Sequence, residues 1–299
     1  MLRRTMWTVR IALLAVLTVA CWSSTATAQF AKFVDETSQR SVVASSLFAT
    51  DSEEKDYAWG DLDHDGDIDL VVVRKQPFTT TGRRRNVLFM NEGTAQGHPV
   101  NGVLVDGTNQ YIPAFLDLTN DRDVALADVD GDGWLDIVTA PTYSAGQPTT
   151  ISHPRVYMNQ GEVAGVWQGF VYEPARIPLL PVTPNFCAVA AGDVTGNGRP
   201  DLYFVDYGNL EDRLLINDGN GFFTDESLLR MTSTMLHSDF GTSGVIVDMN
   251  GDGTNDVVKD MALAILTRIS YNNPPPTKAS STRPRSSTRA PGISCLPLI

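Results

Sequence analysis

Short apolar runs recur along this chain, and four of them directly follow an acidic turn. They read Leu70-Val-Val-Val73, Ile137-Val138, Leu202-Tyr-Phe-Val205 and Val257-Val258. Runs this short, rich in β-branched and aromatic residues, predict buried strands. A small or apolar stretch precedes each turn: Ala58-Trp-Gly60, Ala125-Leu-Ala127, Ala190-Ala-Gly192 and Val245-Ile-Val247. After the first three turns a further apolar run ends in Asn: Val87-Leu-Phe-Met-Asn91, Val156-Tyr-Met-Asn159 and Leu214-Leu-Ile-Asn217, with Tyr271-Asn272-Asn273 as the fourth candidate. A last element reads F-x-D-x-[ST], at Phe115–Thr119 and Phe223–Ser227, with Phe170–Glu173 as a weaker copy. The turns begin at Asp61, Asp128, Asp193 and Asp248, 67, 65 and 55 residues apart. Recurrence in phase signals a repeat architecture, and about four short strands per period is the content of one propeller blade. The expected fold is therefore all-β, a β-propeller of about four blades, complete or part of a larger ring.

The turns themselves share the pattern D-x-[DNT]-x-[DN]-G-x-x-D. The first offers Asp61, Asp63, Asp65, Asp67 and Asp69, and the second Asp128, Asp130, Asp132 and Asp136. The third offers Asp193, Thr195, Asn197 and Asp201, and the fourth Asp248, Asn250, Asp252 and Asp256. Oxygens at positions 1, 3, 5 and 9, with a backbone carbonyl near position 7, suit a hard cation such as Ca²⁺, which takes roughly 6–8 oxygen ligands. Glycine at position 6 permits the sharp turn that returns position 9 to the ion. Without a cation, each pair of carboxylates at 4 Å repels by about 1 kcal/mol even in water. If charge count governs affinity, the first two sites bind most tightly and the third most weakly. An EF-hand requires Glu at position 12 and flanking helices; here position 12 is Val72, Thr139, Phe204 and Lys259, so that reading fails.

With these motifs in place, the chain resembles the FG-GAP/VCBS repeat proteins, whose repeats build integrin α-chain propellers and many secreted bacterial ones. The resemblance covers about residues 30–273 and includes the dipeptide Phe240-Gly241 ahead of the fourth loop. It implies that the four loops are metal sites joining two strands of a blade, and that the propeller serves adhesion or ligand binding. Phe33-Val-Asp35-Glu-Thr37 is an F-x-D-x-T element with no loop before it, and is expected to supply a strand to the last blade and close the ring.

Charge divides the chain. All 35 acidic residues lie between residues 29 and 260, against 15 basic ones, so this body carries −20. Such a charge excludes nucleic acid as an expected partner, because phosphate binding needs a basic patch. The segment Arg83-Arg-Arg85 is a local exception and reads as a solvated loop tip or a small anion site. Residues 1–28 read as a secretory signal: Arg3, Arg4 and Arg10 precede the apolar Ile11–Ala20, and Ala26-Thr-Ala28 is an A-x-A cleavage site. Cys21 leaves a lipid anchor as the alternative. No apolar stretch is long enough for a transmembrane span. The expected domain is 29–273, in a secreted, cell-surface or periplasmic protein. Residues 274–299 form a tail rich in Pro, Ser, Thr and Arg, read as a linker or basic arm, a disordered terminus, or an out-of-frame end. After the signal only Cys187 and Cys295 remain, so no disulfide framework is indicated.

No catalytic constellation emerges. The histidines His64, His98, His153 and His237 form no metal-spaced pair, and Gly241-Thr-Ser-Gly244 reads as a small-residue turn, not a nucleophile elbow. Trp134 and Trp167 read either as blade-packing residues or as an exposed contact site. The expectation is a secreted Ca²⁺-binding module for a protein or glycan ligand outside the cell. The alternatives are a propeller-bearing carbohydrate-active enzyme or its non-catalytic module, and a truncated product without function.

Overall fold

The computed structural model describes residues 33–42, 54–75, 84–142, 153–180, 185–208, 210–262 and 267–272. The predicted signal segment, Arg83 and the tail lie outside these. The chain divides into two compact units, Met1–Glu36 and Thr37–Ile299. In the first unit the described residues Phe33–Glu36 form neither helix nor strand. Among its described residues the second unit holds four successive, mainly antiparallel sheets, one for each predicted repeat, and a separate two-stranded hairpin.

Blade 1 contains β1 (Ser41–Val42), β2 (Glu54–Gly60), β3 (Asp69–Lys75), β4 (Val87–Glu92) and β5 (Val103–Asp106), in the order β1-β5-β4-β3-β2. Blade 2 contains β6 (Asp121–Ala127), β7 (Asp136–Pro141), β8 (Arg155–Asn159) and β11 (Phe170–Tyr172), and a small hairpin, β9 (Glu162–Val163) with β10 (Val166–Trp167), precedes its last strand. Blade 3 is β12 (Phe186–Gly192), β13 (Asp201–Asp206), β14 (Arg213–Asn217) and β15 (Phe223–Asp225). Blade 4 is β16 (Gly241–Val247), β17 (Asp256–Met261) and β18 (Arg268–Ser270). Each acidic loop joins the first long strand of its blade to the second, as the apolar runs on either side of it predict.

Three expectations are corrected. Phe33–Glu36 form no strand and Thr37 opens a short helix, so this element supplies no strand to blade 4; the first strand among the described residues is β1, which pairs in parallel with β5 of blade 1. Phe115 is not in a strand either. Pro113 opens a short 3₁₀ helix, Pro113–Leu116, which drives Phe115 into the core edge-on to Tyr157 at 4.9 Å. The last strand of blade 1 is therefore Val103–Asp106. Finally, Gly241–Gly244 is part of β16 and not a turn. A side chain at Gly241 would meet Val205 Cγ1 at 2.2 Å, so the small residues let β16 lie directly on blade 3.

The core consists of apolar layers between consecutive blades. Val71, Val73, Leu88 and Met90 of blade 1 meet Val124, Ile137, Tyr157 and Phe170 of blade 2. Val138, Val156 and Met158 meet Val189, Leu202, Phe204 and Leu215. Tyr203, Val205 and Leu214 meet Val257 and Ile246. Strands β2, β6, β12 and β16 pack on one another in succession. Among the described residues, β16 and β2 at the two ends make no contact of comparable extent. No helix of the described residues is long and apolar enough to cross a membrane.

Candidate metal centre

The four acidic loops share one hydrogen-bond framework. The carboxylate at position 1 accepts the N–H of the glycine at position 6: Gly66 to Asp61 (3.2 Å), Gly133 to Asp128 (3.1 Å), Gly198 to Asp193 (2.7 Å) and Gly253 to Asp248 (2.9 Å). The side chain at position 5 accepts the N–H of position 7 at 2.8–2.9 Å in every loop. These turns fold back the loop so that its oxygens converge. Position 4 also takes a left-handed conformation in each, at His64, Gly131, Gly196 and Gly251. The glycine that recurs there in the last three loops marks this conformation in the sequence. At Gly131 the need is double, since a Cβ would meet Arg199 Cζ at 1.9 Å.

The Asp at position 9 is a buried strut as well as a candidate ligand. One oxygen accepts the N–H of position 2: Leu62 to Asp69 (3.0 Å), Val129 to Asp136 (2.9 Å), Val194 to Asp201 (2.9 Å) and Met249 to Asp256 (3.0 Å). The other accepts the N–H of the Asn that closes the third strand: Asn91, Asn159, Asn217 and Asn272, at 2.7–2.9 Å. That Asn, read from sequence as a turn marker, also ties the blades together. Its Nδ2 donates to the position-2 carbonyl of the preceding loop: Asn159 to Leu62 O (2.8 Å), Asn217 to Val129 O (2.8 Å) and Asn272 to Val194 O (2.7 Å).

The loops differ in what remains for a cation. In the first, oxygens of Asp61, Asp63 and Asp69 lie within 4.8 Å of one another, and in the second those of Asp128, Asp130 and Asp136 do. Asp61 Oδ1 is buried and has no hydrogen-bond partner. Burial pushes Asp69 and Asp136 up to about 7 against the backbone N–H groups they accept, and the neighbouring carboxylates push the same way. Burial raises Asp63 and Asp130 too, with adjacent loop carboxylates adding to it. Asp65, Asp67 and Asp132 are exposed and stand outside these three-carboxylate groups. Converging, mutually repelling carboxylates, with an unpartnered buried oxygen in the first loop, are what a hard cation would satisfy, so these residues fit Ca²⁺.

The third and fourth loops satisfy themselves. Asp193 accepts the N–H groups of Thr195, Gly196, Asn197 and Gly198 and the Thr195 hydroxyl. Its slight burial pushes its pKa up, but the N–H groups of Gly198, Gly196 and Asn197 outweigh this and hold it below the usual range. Asn197 spends its amide on the Asn217 carbonyl (3.1 Å). In the fourth loop Asn250 donates to Asp252 (2.9 Å), and the Thr254 hydroxyl and N–H hold Asp252 below its usual range. Position 12 is buried in all four repeats; Lys259 there reaches Asp212 across the blade 3–blade 4 contact, so none of these residues serves a loop.

The FG-GAP-like repeat family matches the chain three times, over residues 61–139, 128–204 and 193–258. The chain belongs to the FG-GAP-like repeat family. Each match runs from one acidic loop into the strand after the next, so the family's repeat unit coincides with the loop-to-loop period seen in the blades. No curated protein matches the chain. A solved structure similar to it is that of an Agrocybe aegerita lectin that specifically recognises non-reducing terminal N-acetylglucosamine. The two are 19% identical with a TM-score of 0.42, and the match covers 74% of this chain and 50% of the lectin chain. This FG-GAP chain thus spans half the length of that lectin, and a likeness at this level says nothing of what it binds.

The aromatic and histidine residues have structural partners. Trp134, at position 7 of the second loop, stacks on His64 of the first, with centroids 3.9 Å apart. Trp167 donates its indole N–H to Asn159 Oδ1 (2.8 Å). His153 is buried between the Pro154 and Pro178 carbonyls, His98 meets Glu92, and His237 meets Asp239.

Proposed function

We propose that this chain is a secreted Ca²⁺-binding propeller that serves, without catalysis, as a binding or adhesion module for a protein or glycan outside the cell. The observation that carries the reading is the convergence of three carboxylates in each of the first two loops, with an oxygen of Asp61 left unpartnered. A bound Ca²⁺ supplies the positive charge these loops lack. Asp61, Asp63 and Asp69 in one loop, and Asp128, Asp130 and Asp136 in the next, are the residues that would hold it. Because the strut at position 9 is hydrogen-bonded to the closing Asn, stiffening a loop also stiffens the hairpin beyond it. A non-catalytic role is supported by the histidines, each held by a structural neighbour.

The test is retention of the purified chain on glycan and protein arrays, in Ca²⁺ and in chelator, with polysaccharide hydrolysis assayed alongside. The expected result is retention on a defined ligand that chelation abolishes, with no turnover. Turnover of a polysaccharide would contradict the reading, as would retention indifferent to Ca²⁺.

A further inference from the structure

The series of blades ends in two half-interfaces of the kind that bury the core elsewhere. Blade 4 presents Val245, Met249 and Ile269 on the face away from blade 3. These positions correspond by repeat to Ala58, Leu62 and Leu88 of blade 1, which pack on blade 2. Leu62 and Leu88 are fully buried there, whereas Val245 and Met249 are each 47% exposed and Ile269 41%. Blade 1, on the face away from blade 2, presents Tyr57, Trp59 and Ile68, with Trp59 67% exposed. Their counterparts Val124, Leu126 and Leu135 of blade 2 pack on blade 1. Farther out on this face Val72 and Val87 are already buried, so the open part is the end nearest the acidic loop.

The polar lock is cut at the same two places. Each interior junction has an Asn Nδ2 donating to a position-2 carbonyl of the preceding loop. At one end of the series, no described residue donates to the Met249 carbonyl. At the other, the Asn91 Nδ2 donates to Ile68 O of its own loop (3.0 Å) and to no carbonyl of another described loop, and its buried Oδ1 has no partner.

We propose that a second copy of this chain completes both half-interfaces, blade 1 of each copy docking on blade 4 of the other. Trp59, Tyr57 and Ile68 cover Val245, Met249 and Ile269, and Asn91 donates to the partner's Met249 carbonyl. Two copies joined twice close on themselves by a twofold relation, leaving neither face open. The pair brings eight blades together, within the range of known propellers. At the end nearest the acidic loops the contact repeats the geometry of the three junctions already inside the chain, which is why a copy of the chain is the occupant.

Sedimentation velocity of the purified chain across micromolar concentrations, in Ca²⁺, tests this. The expected species has twice the chain mass. Trp59→Arg and Ile269→Arg lie on opposite faces at exposed positions, and each is expected to give monomer with unchanged circular dichroism. Asn91→Ala is expected to weaken the pair without abolishing it. A wild-type monomer overturns the proposal, whether its faces stay open or footprinting shows Trp59 protected by closure within one chain. An open-ended ladder of larger species, or a dimer that both arginine variants leave intact, overturns it too.

Discussion

At the residue scale, one type of side chain in these loops does two jobs. Asp69, Asp136, Asp201 and Asp256 are buried and accept at least two backbone N–H groups each, whereas Asp65 and Asp132 are exposed. Their substitutions therefore differ in kind. Asp136→Ala leaves the N–H groups of Val129 and Asn159 unpaired, at about 1–3 kcal/mol each, so about 2–6 kcal/mol of stability is expected to go even in chelator. Asp132→Ala removes one exposed acceptor, that of the Trp134 N–H, so it is expected to cost clearly less in chelator and to reduce the gain from Ca²⁺ by loosening the turn that brings the ligands together. Equal losses for both variants in chelator, read by denaturant unfolding, would show that position 9 is only a ligand. The convergence of the loop was legible in sequence, because alternate oxygens and a glycine at position 6 determine it. The strut was not, because burial of position 9 comes from strand pairing with a segment more than fifteen residues away.

At the element scale, the strands that apolar runs announced are present, and the errors fall where local sequence is ambiguous. Phe115 and Phe223 occupy the same motif, yet Pro113 forces a helical turn at one and nothing prevents a strand at the other. Val103–Asp106, which carries no F-x-D-x-[ST] signature, took the vacant place in blade 1. Neither the Asn locks nor the glycines under β16 could be read from one repeat alone, since their partners belong to the neighbouring blade. The locks make a measurable distinction. Asn159 bridges Leu62 O, Leu135 O, the Gly161 N–H and the Trp167 indole, while Asn91 lacks the bridge to a preceding loop. Asn159→Ala is thus expected to cost about 2–3 kcal/mol and Asn91→Ala about 1 kcal/mol in a monomeric background such as Trp59→Arg. The same chemical denaturation experiment ranks them, and an equal cost would remove the bridging role.

At the scale of the whole molecule, an acidic chain stacks blade on blade and buries some of its carboxylates in the process. Burial pushes Asp206, which lies outside the acidic loops, up to about 7, and Asp212 adds to the effect. Unfolded, such a group titrates near about 3.9. Between these values the folded chain holds a proton that the unfolded chain releases. The stabilising contribution is full below about pH 4 and is lost as pH rises through 7. In chelator, Asp206→Asn is expected to flatten the fall in stability between pH 4 and 7; an unchanged slope would show that Asp206 does not carry it. The claim on which the functional account depends is that a cation completes the first two loops, and the most direct measurement is the thermal melt of the chain in Ca²⁺ and in chelator, repeated for Asp61→Asn and Asp128→Asn. Binding only to the folded state at a hundredfold excess over Kd adds about 2.7 kcal/mol per site. The account predicts a clear rise in Tm with Ca²⁺, reduced by either substitution and nearly abolished by both. A melt at the same temperature in Ca²⁺ and in chelator would contradict it.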